Sequence, residues 1–219
     1  KQGVIDPEEV AYLIVEPQQG EGGYRVPSRE FMADVQAIQE EYGVRIIADE
    51  IQSGLGRTGE MWAVDHYDLD PDVITSAKGL RVGATVSRSD VFPDETSRIA
   101  STWGSGDILN VLQGALTLEV IRSENLLANA RQMGRHLVEL ARDDFGDAVV
   151  DVRGRGLMVA VEFASKDRRD DVTDAAFERG LLVLGCGHRS IRLLPPLDVT
   201  EREIELGAEI LEEAIAATA

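Results

Sequence analysis

With 219 residues and 43% apolar content, the chain has material for a real hydrophobic core, as one large domain or two small ones, and wholesale disorder is excluded. Forty Asp and Glu against 22 Lys and Arg give a formal net charge of -18, which repels nucleic-acid phosphates and anionic lipid, so neither is an expected partner. Acid spread along the whole chain, without an acidic tail, makes a heavily solvated surface suited to strong salt, and a halophilic source is expected.

The chain opens at Lys1 without a methionine, in mid-pattern, and upstream sequence is expected. No leader-like segment precedes the first apolar run. No run approaches the roughly 20 apolar residues of a membrane-crossing helix, and the single cysteine, Cys186, allows no intrachain disulfide. A reducing, cytoplasmic location is the expectation. Ala11 to Val15 is a short, continuously apolar run, the pattern of a strand buried on both faces, and it stops at Glu16-Pro17. A glycine-rich loop, Gln18 to Gly23, leads to Pro27-Ser28, where Ser28 is placed to cap a helix carrying Phe31, Val35, Ile38 and Tyr42 on one face and ending at Gly43. Val44 to Ala48 is a second buried strand, ending at Asp49. A short helix over Glu60 to His66 precedes a third apolar run, Val73 to Ala77, which ends at Lys78. The rhythm is that of a parallel βαβ sheet.

After a loop from Arg98 to Gly106, Ile108, Val111, Leu112, Ala115 and Leu116 recur at helical spacing, and a second helix is expected over Asn125 to Arg142. These helices are expected to join two domains. Strands are expected over Val149 to Val152, Leu157 to Phe163, Leu181 to Leu184 and Ser190 to Leu193, with helices over Asp170 to Arg179 and Thr200 to Ala217. Thr200 and Glu203 form a capping-box pattern for the last helix.

In an open parallel sheet, ligands bind beyond the carboxyl ends of the strands. Glu16, Asp49 and Lys78 end three successive strand runs, so one crevice is expected to receive all three, although any one charged strand end alone means only that the chain is surfacing. A lysine at such a rim is expected to be partly desolvated, which favours the neutral amine that attacks a carbonyl. A carboxylate such as Asp49 keeps a heterocyclic nitrogen protonated, so that the ring accepts electrons. Lys with Asp is the minimal pair for pyridoxal-5'-phosphate (PLP).

The runs Ile47-Ala48-Asp49-Glu50-Ile51-Gln52-Ser53-Gly54-Leu55-Gly56-Arg57-Thr58-Gly59 and Pro71-Asp72-Val73-Ile74-Thr75-Ser76-Ala77-Lys78-Gly79 resemble the signature of the class III (ω-type) aminotransferases. Further similar stretches are Val15-Glu16-Pro17-Gln18-Gln19-Gly20-Glu21-Gly22-Gly23, Ser101-Thr102-Trp103-Gly104, Arg153-Gly154-Arg155-Gly156-Leu157-Met158 and Ile191-Arg192-Leu193-Leu194-Pro195-Pro196-Leu197, so the resemblance covers essentially the whole chain. It implies an α/β protein with the PLP-dependent transferase fold (fold type I, aspartate aminotransferase-like). Residues 1–106 would be the C-terminal part of the large PLP-binding domain, 107–142 the connecting helices and 143–219 the small C-terminal α/β domain.

The same resemblance implies roles. Lys78 would hold PLP as a Schiff base and shuttle the proton, Asp49 would pair with the pyridinium nitrogen, Gln52 would bond near the phenolic oxygen and Ile51 would pack on a ring face. Thr102 would donate to the cofactor phosphate of the neighbouring subunit in a homodimer with a shared active site. Arg192 would grip a substrate carboxylate, with Glu16 pairing to it when the substrate lacks an α-carboxylate. The implied reaction moves an amino group from an ω-amino donor of the 4-aminobutyrate type to a 2-oxo acid such as 2-oxoglutarate. Lysine 6-aminotransferase, acetylornithine or ornithine aminotransferase, an amino acid racemase of the same fold and an inactive truncated fragment are the alternatives. Only Gly79-Leu80-Arg81 separates Lys78 from Val82 to Val86, a shortened loop similar to the lysine 6-aminotransferase branch. The family's N-terminal half has no counterpart in the sequence.

His66, His136 and His188 show no metal-ligand spacing and are expected to play surface or packing roles, so no metal is assigned. Cys186, within Gly185-Cys186-Gly187, is expected in a turn. The glycines from Gly54 to Gly59 match no phosphate-loop spacing and are expected to make turns. Arg153 and Arg155, alternating with Gly154 and Gly156, are expected at a structural bulge.

Overall fold

In the computed structural model, which describes residues 5–95 and 106–218, three apolar runs pair as parallel strands: β1 (Tyr12–Val15), β2 (Arg45–Asp49) and β3 (Val73–Ser76). A fourth strand, β4 (Ala84–Ser87), pairs antiparallel to β3, completing the order β1-β2-β3-β4. The loop between Ser76 and Ala84 is too short for the crossover of a dozen or so residues that a parallel return requires, and the chain turns back on itself instead.

Between β1 and β2 runs α1 (Arg29–Tyr42). The Ser28 side chain accepts from Phe31 N at 3.1 Å at its start, and Gly43, at φ 68, ends it in the left-handed conformation. The buried face differs from the expected one: Met32 and Val35 pack on Ile46 and Ala48, while Phe31 lies exposed. Gln36 and Gln39 bond to the loop carrying Asp70 and Asp72, and this fixes the helix rotation that turns Met32 inward. β1 is likewise not buried on both faces. Among the described residues it stands at the end of the sheet, with Tyr12 and Ile14 exposed on the side opposite α1.

Two helices follow, α2 (Ile108–Ser123) and α3 (Leu126–Phe145), and then the antiparallel hairpin of β5 (Asp151–Arg155) and β6 (Met158–Glu162). α4 (Lys166–Glu178), β7 (Leu184–Cys186), β8 (Ser190–Leu193) and α5 (Glu201–Ala217) complete the second sheet, in the order β5-β6-β8-β7. β6 is buried at every position. Val159 and Val161 face α3, α4 and α5 through Leu137, Phe145, Val172, Ile204 and Leu211, and the opposite face sets Met158 and Ala160 against Tyr24 and Cys186. Each fully buried aliphatic side chain here stabilises the fold by about 1.5–3 kcal/mol relative to exposure.

The structure corrects several local expectations. Arg153 to Arg155 form no bulge: Arg153 pairs with Ala160, Gly154 with Val159 and Arg155 with Met158 in unbroken register. Gly154 is needed for close approach, because a Cβ there would lie 2.2 Å from Met158 O. Cys186 ends β7 and is buried, since its strand closes over Tyr24. The strand expected at Leu181 forms only from Leu184, where pairing with β8 becomes available. α4 starts earlier than expected because Ser165 accepts from Arg168 N. The apolar stripe of α2 is exposed among the described residues, and its buried side consists of Gly114 and Ile121. Among the described residues no helix is long and apolar enough to cross a membrane.

Gly134 on α3 gives a clear test of close packing. Alanine is the better helix former by about 1 kcal/mol, but a Cβ at this position would sit 2.1 Å from Gly156 O, a backbone atom. Gly134→Ala is therefore expected to destabilise the protein by about 1–3 kcal/mol, measured by urea denaturation. A stabilised variant would show that α3 and the β5–β6 turn do not press together.

Candidate functional site

Lys78 begins a single 3-10 turn, Lys78–Leu80, directly after β3, and Arg81 closes that turn at φ 64. α2 presses on it from behind: a Cβ on Gly114 would lie 2.6 Å from Leu80 O. Among the described residues Lys78 is exposed at the end of the strand. It makes no ion pair with any described residue. One strand over, Asp49 pairs in register with Thr75, and its Oδ1 accepts from Ile51 N at 3.1 Å and Thr75 Oγ1 at 3.3 Å. Both bonds fall on Oδ1, which leaves Oδ2 without a hydrogen bond among the described residues. Ile51 is 37% exposed. Gln52 Oε1 is buried and has no hydrogen-bond partner among the described residues.

Lys78 and Gln52 line a cavity of about 670 Å³ together with Arg192 and Glu21, and its remaining wall is mostly aliphatic, including Leu182, Leu184 and Leu194. Asp49, Ile51 and Glu16 sit at neighbouring strand ends but do not line it. Arg192, on β8, donates to Glu21 and not to Glu16. Glu16 is occupied elsewhere, because its Oε2 accepts from Gly20 N at 2.7 Å and caps the glycine-rich turn. Glu21 is carried across to the second sheet by a 2.7 Å bond from Gly187 N to its own carbonyl. Burial works against the charge of Arg192, but the Glu21 hydrogen bond and charge outweigh it and raise the guanidinium pKa. Beneath this pair Tyr24 is fully buried at φ 54, and its hydroxyl has no hydrogen-bond partner among the described residues. Burial pushes its pKa up to about 12 against the opposing charge of Arg192 and Arg57. Thr102 and the Ser101 to Gly104 run lie outside the described residues.

The profile of the family described as aminotransferase class-III matches residues 4–215. This chain belongs to that family. An acetylornithine aminotransferase of Archaeoglobus fulgidus is 37% identical over 95% of this chain and 54% of its own length. An alanine/serine racemase of Pyrococcus horikoshii is 34% identical over 97% of this chain and 48% of its own. Among solved structures, an ornithine aminotransferase of Toxoplasma gondii, with PLP partly occupying its active site, aligns at a TM-score of 0.89 and 31% identity over 96% of this chain and 52% of that one. Matched relatives also include 4-aminobutyrate and lysine aminotransferases. The chain spans about half the length of the curated relatives it matches.

In this class-III aminotransferase chain, the loop bearing Glu21 is held by the second sheet. Gln18 Nε2 donates to Met158 O at 2.8 Å, and Arg153 donates to Gly23 O at 3.0 and 2.7 Å. Arg153 is braced in turn by Glu162 at 2.6 Å, and Glu162 also accepts from Arg189 at 2.8 Å. Burial alone would raise the Glu162 pKa, but the bonds and charges of Arg189 and Arg153 hold it below its ordinary 4.5. The stabilisation from this depressed carboxyl is complete above the unfolded value and disappears as pH falls through the lower folded value. Glu162→Gln is thus expected to lower stability at pH 7, with the difference from wild type shrinking as pH drops below 4.5, followed by urea denaturation across pH. A difference independent of pH would remove charge as the cause.

Proposed function

We propose that the complete protein is a PLP-dependent aminotransferase that passes the amino group of an ω-amino acid of the 4-aminobutyrate type to 2-oxoglutarate or a similar 2-oxo acid. The carrying observation is the single cavity on which Lys78, Gln52 and the Arg192–Glu21 pair meet. The chain's own residues fit the cofactor. Gln52 offers an unsatisfied acceptor for a hydroxyl, Ile51 presents an exposed apolar surface for a flat ring, and Asp49 keeps one oxygen available for a protonated ring nitrogen.

When bound, PLP supplies an aldehyde that condenses with amines and a ring that withdraws electrons from the substrate carbon. Lys78 Nζ would take the proton from the substrate carbon bearing the amine and deliver it to the carbon that PLP supplies as its aldehyde, and Asp49 would keep the ring nitrogen protonated. Arg192 receives a substrate carboxylate through a planar two-point fork. Glu21 occupies Arg192 while a donor without an α-carboxylate is bound and turns to water when a 2-oxo acid arrives, so one site accepts both substrates. A cytoplasmic homodimer, in which Thr102 donates to the cofactor phosphate of the neighbouring subunit, belongs to the same proposal. Lysine, ornithine and N-acetylornithine are the alternative donors, in keeping with the spread of relatives. The 34% identity to a racemase favours a second reading, inversion of an amino acid without export of nitrogen.

Incubated with 2-oxoglutarate, the complete protein is expected to form glutamate from at least one of 4-aminobutyrate, lysine, ornithine and N-acetylornithine. Lys78→Ala is expected to lose at least about a thousandfold of that rate. No glutamate from any donor would end the aminotransferase reading, and inversion of alanine or serine in its place would establish the racemase. A Cβ on Gly20 would sit 2.1 Å from Gln52 Oε1, the movable end of a side chain. Gly20→Ala is therefore expected to weaken PLP affinity by about tenfold, the loss of roughly one good hydrogen bond, with the Tm of the cofactor-free protein nearly unchanged. Equal PLP affinity in a fluorescence titration would remove Gln52 from cofactor binding.

A further inference from the structure

Away from the cavity mouth, α3 and α5 bring three potential metal ligands together: His136, Glu201 and Glu205. Glu201 and Glu205 stand four residues apart on the first turns of α5, so their side chains share one helix face. His136 projects from α3, which packs against α5 through the common core. One ligand atom from each residue lies within 4.8 Å of the other two. The imidazole nevertheless makes no hydrogen bond to either carboxylate, and its Nε2 is buried without a hydrogen-bond partner among the described residues. Leaving a desolvated ring nitrogen unsatisfied costs about 1–3 kcal/mol, and two carboxylates just beyond contact distance do not relieve it.

That spacing suits donors around a common centre. First-row dications bind imidazole nitrogen and carboxylate oxygen at about 2.0–2.2 Å, which sets neighbouring donors of a tetrahedral shell roughly 3.5 Å apart, a spacing that small side-chain rotations reach from ligand atoms lying within 4.8 Å of one another. One nitrogen with two carboxylate oxygens is a donor set for zinc or manganese more than for calcium or magnesium, which favour oxygen alone. Neighbouring groups leave the site available. Glu203 is committed to the Thr200 cap, and Arg202 reaches Glu205 only at 3.6 Å and Glu209 at 3.9 Å from a largely exposed side chain. The net charge of -18 adds a long-range attraction for cations.

We propose that His136, Glu201 and Glu205 bind a divalent first-row cation of the zinc type, with water completing its coordination, and that the ion ties α3 to α5. The tie supports the wall of the cavity that Leu137 on α3 and Ile204 and Leu211 on α5 supply. The site is independent of the cofactor chemistry and stands whether or not the aminotransferase reading does.

The test is calorimetric titration of Zn²⁺ into the complete, chelator-treated, cofactor-loaded protein, with thermal unfolding measured in parallel. The expected result is one ion per chain and a rise in Tm on the order of 5 °C in excess metal. In the Glu201→Gln, Glu205→Gln double variant, affinity is expected to fall at least tenfold and the Tm response to vanish. His136→Ala is expected to do the same, and the double variant, altered only near the surface, keeps the test decisive if His136→Ala fails to fold. Unchanged Zn²⁺ affinity in the double variant, or no one-to-one binding by wild type at millimolar Zn²⁺, overturns the proposal.

Discussion

The site depends on a seam of backbone against backbone. The loops that leave the first sheet, around Gly23 and around Arg57 to Gly59, meet the turns of the second sheet at Gly156 and Gly187, where peptide groups leave no room for a Cβ at Gly156 and little at Gly187. A Cβ on Gly156 would lie 2.5 Å from Thr58 C, and one on Gly187 would lie 3.0 Å from Gly23 Cα. Bonds such as Leu157 N to Arg57 O at 2.9 Å cross the same seam. Peptide groups have no rotamers to explore, so this contact positions the two sheets with little side-chain entropy lost.

From this seam follows the division of labour in the cavity. Lys78 and Gln52 belong to the first sheet and its loops, and Arg192 belongs to the second. Neither sheet brings the Lys78 amine and the Arg192 guanidinium together by itself. The loop of Gln18 to Tyr24 bridges them, anchored at Met158 by Gln18 and at Gly23 by Arg153, and this anchoring places Glu21 on Arg192. Tyr24 completes the bridge by filling the face of β6 and β7 that the helices leave uncovered.

Local signals were legible in the sequence wherever a few adjacent residues decide the outcome. Ser28 with Gly43, and Thr200 with Glu203, bracket or start their helices where the capping chemistry says they should, and the strand over Ser190 to Leu193 is found at those residues. Features set by distant partners were harder to read. Glu21 was hidden because it lies between glycines and not at a strand end, and its partner is far away in sequence. Its signal was the carboxylate within Gly20-Glu21-Gly22-Gly23, together with Glu16 being near enough to cap that turn itself. The facing of Phe31 and Met32 turned on Gln36 and Gln39 reaching a later loop. Cys186 looked like a turn residue because the strand pairing that buries it begins only at Leu184.

The Glu21–Arg192 pair is lopsided: the arginine side chain is 15% exposed and the glutamate side chain 74%. When the two separate, the anion is already hydrated and the cation stays seated, so little desolvation has to be reversed. Salt in the medium therefore screens the exposed carboxylate and weakens its hold on the guanidinium. In strong salt Arg192 is thus released from Glu21 more readily than in dilute solution.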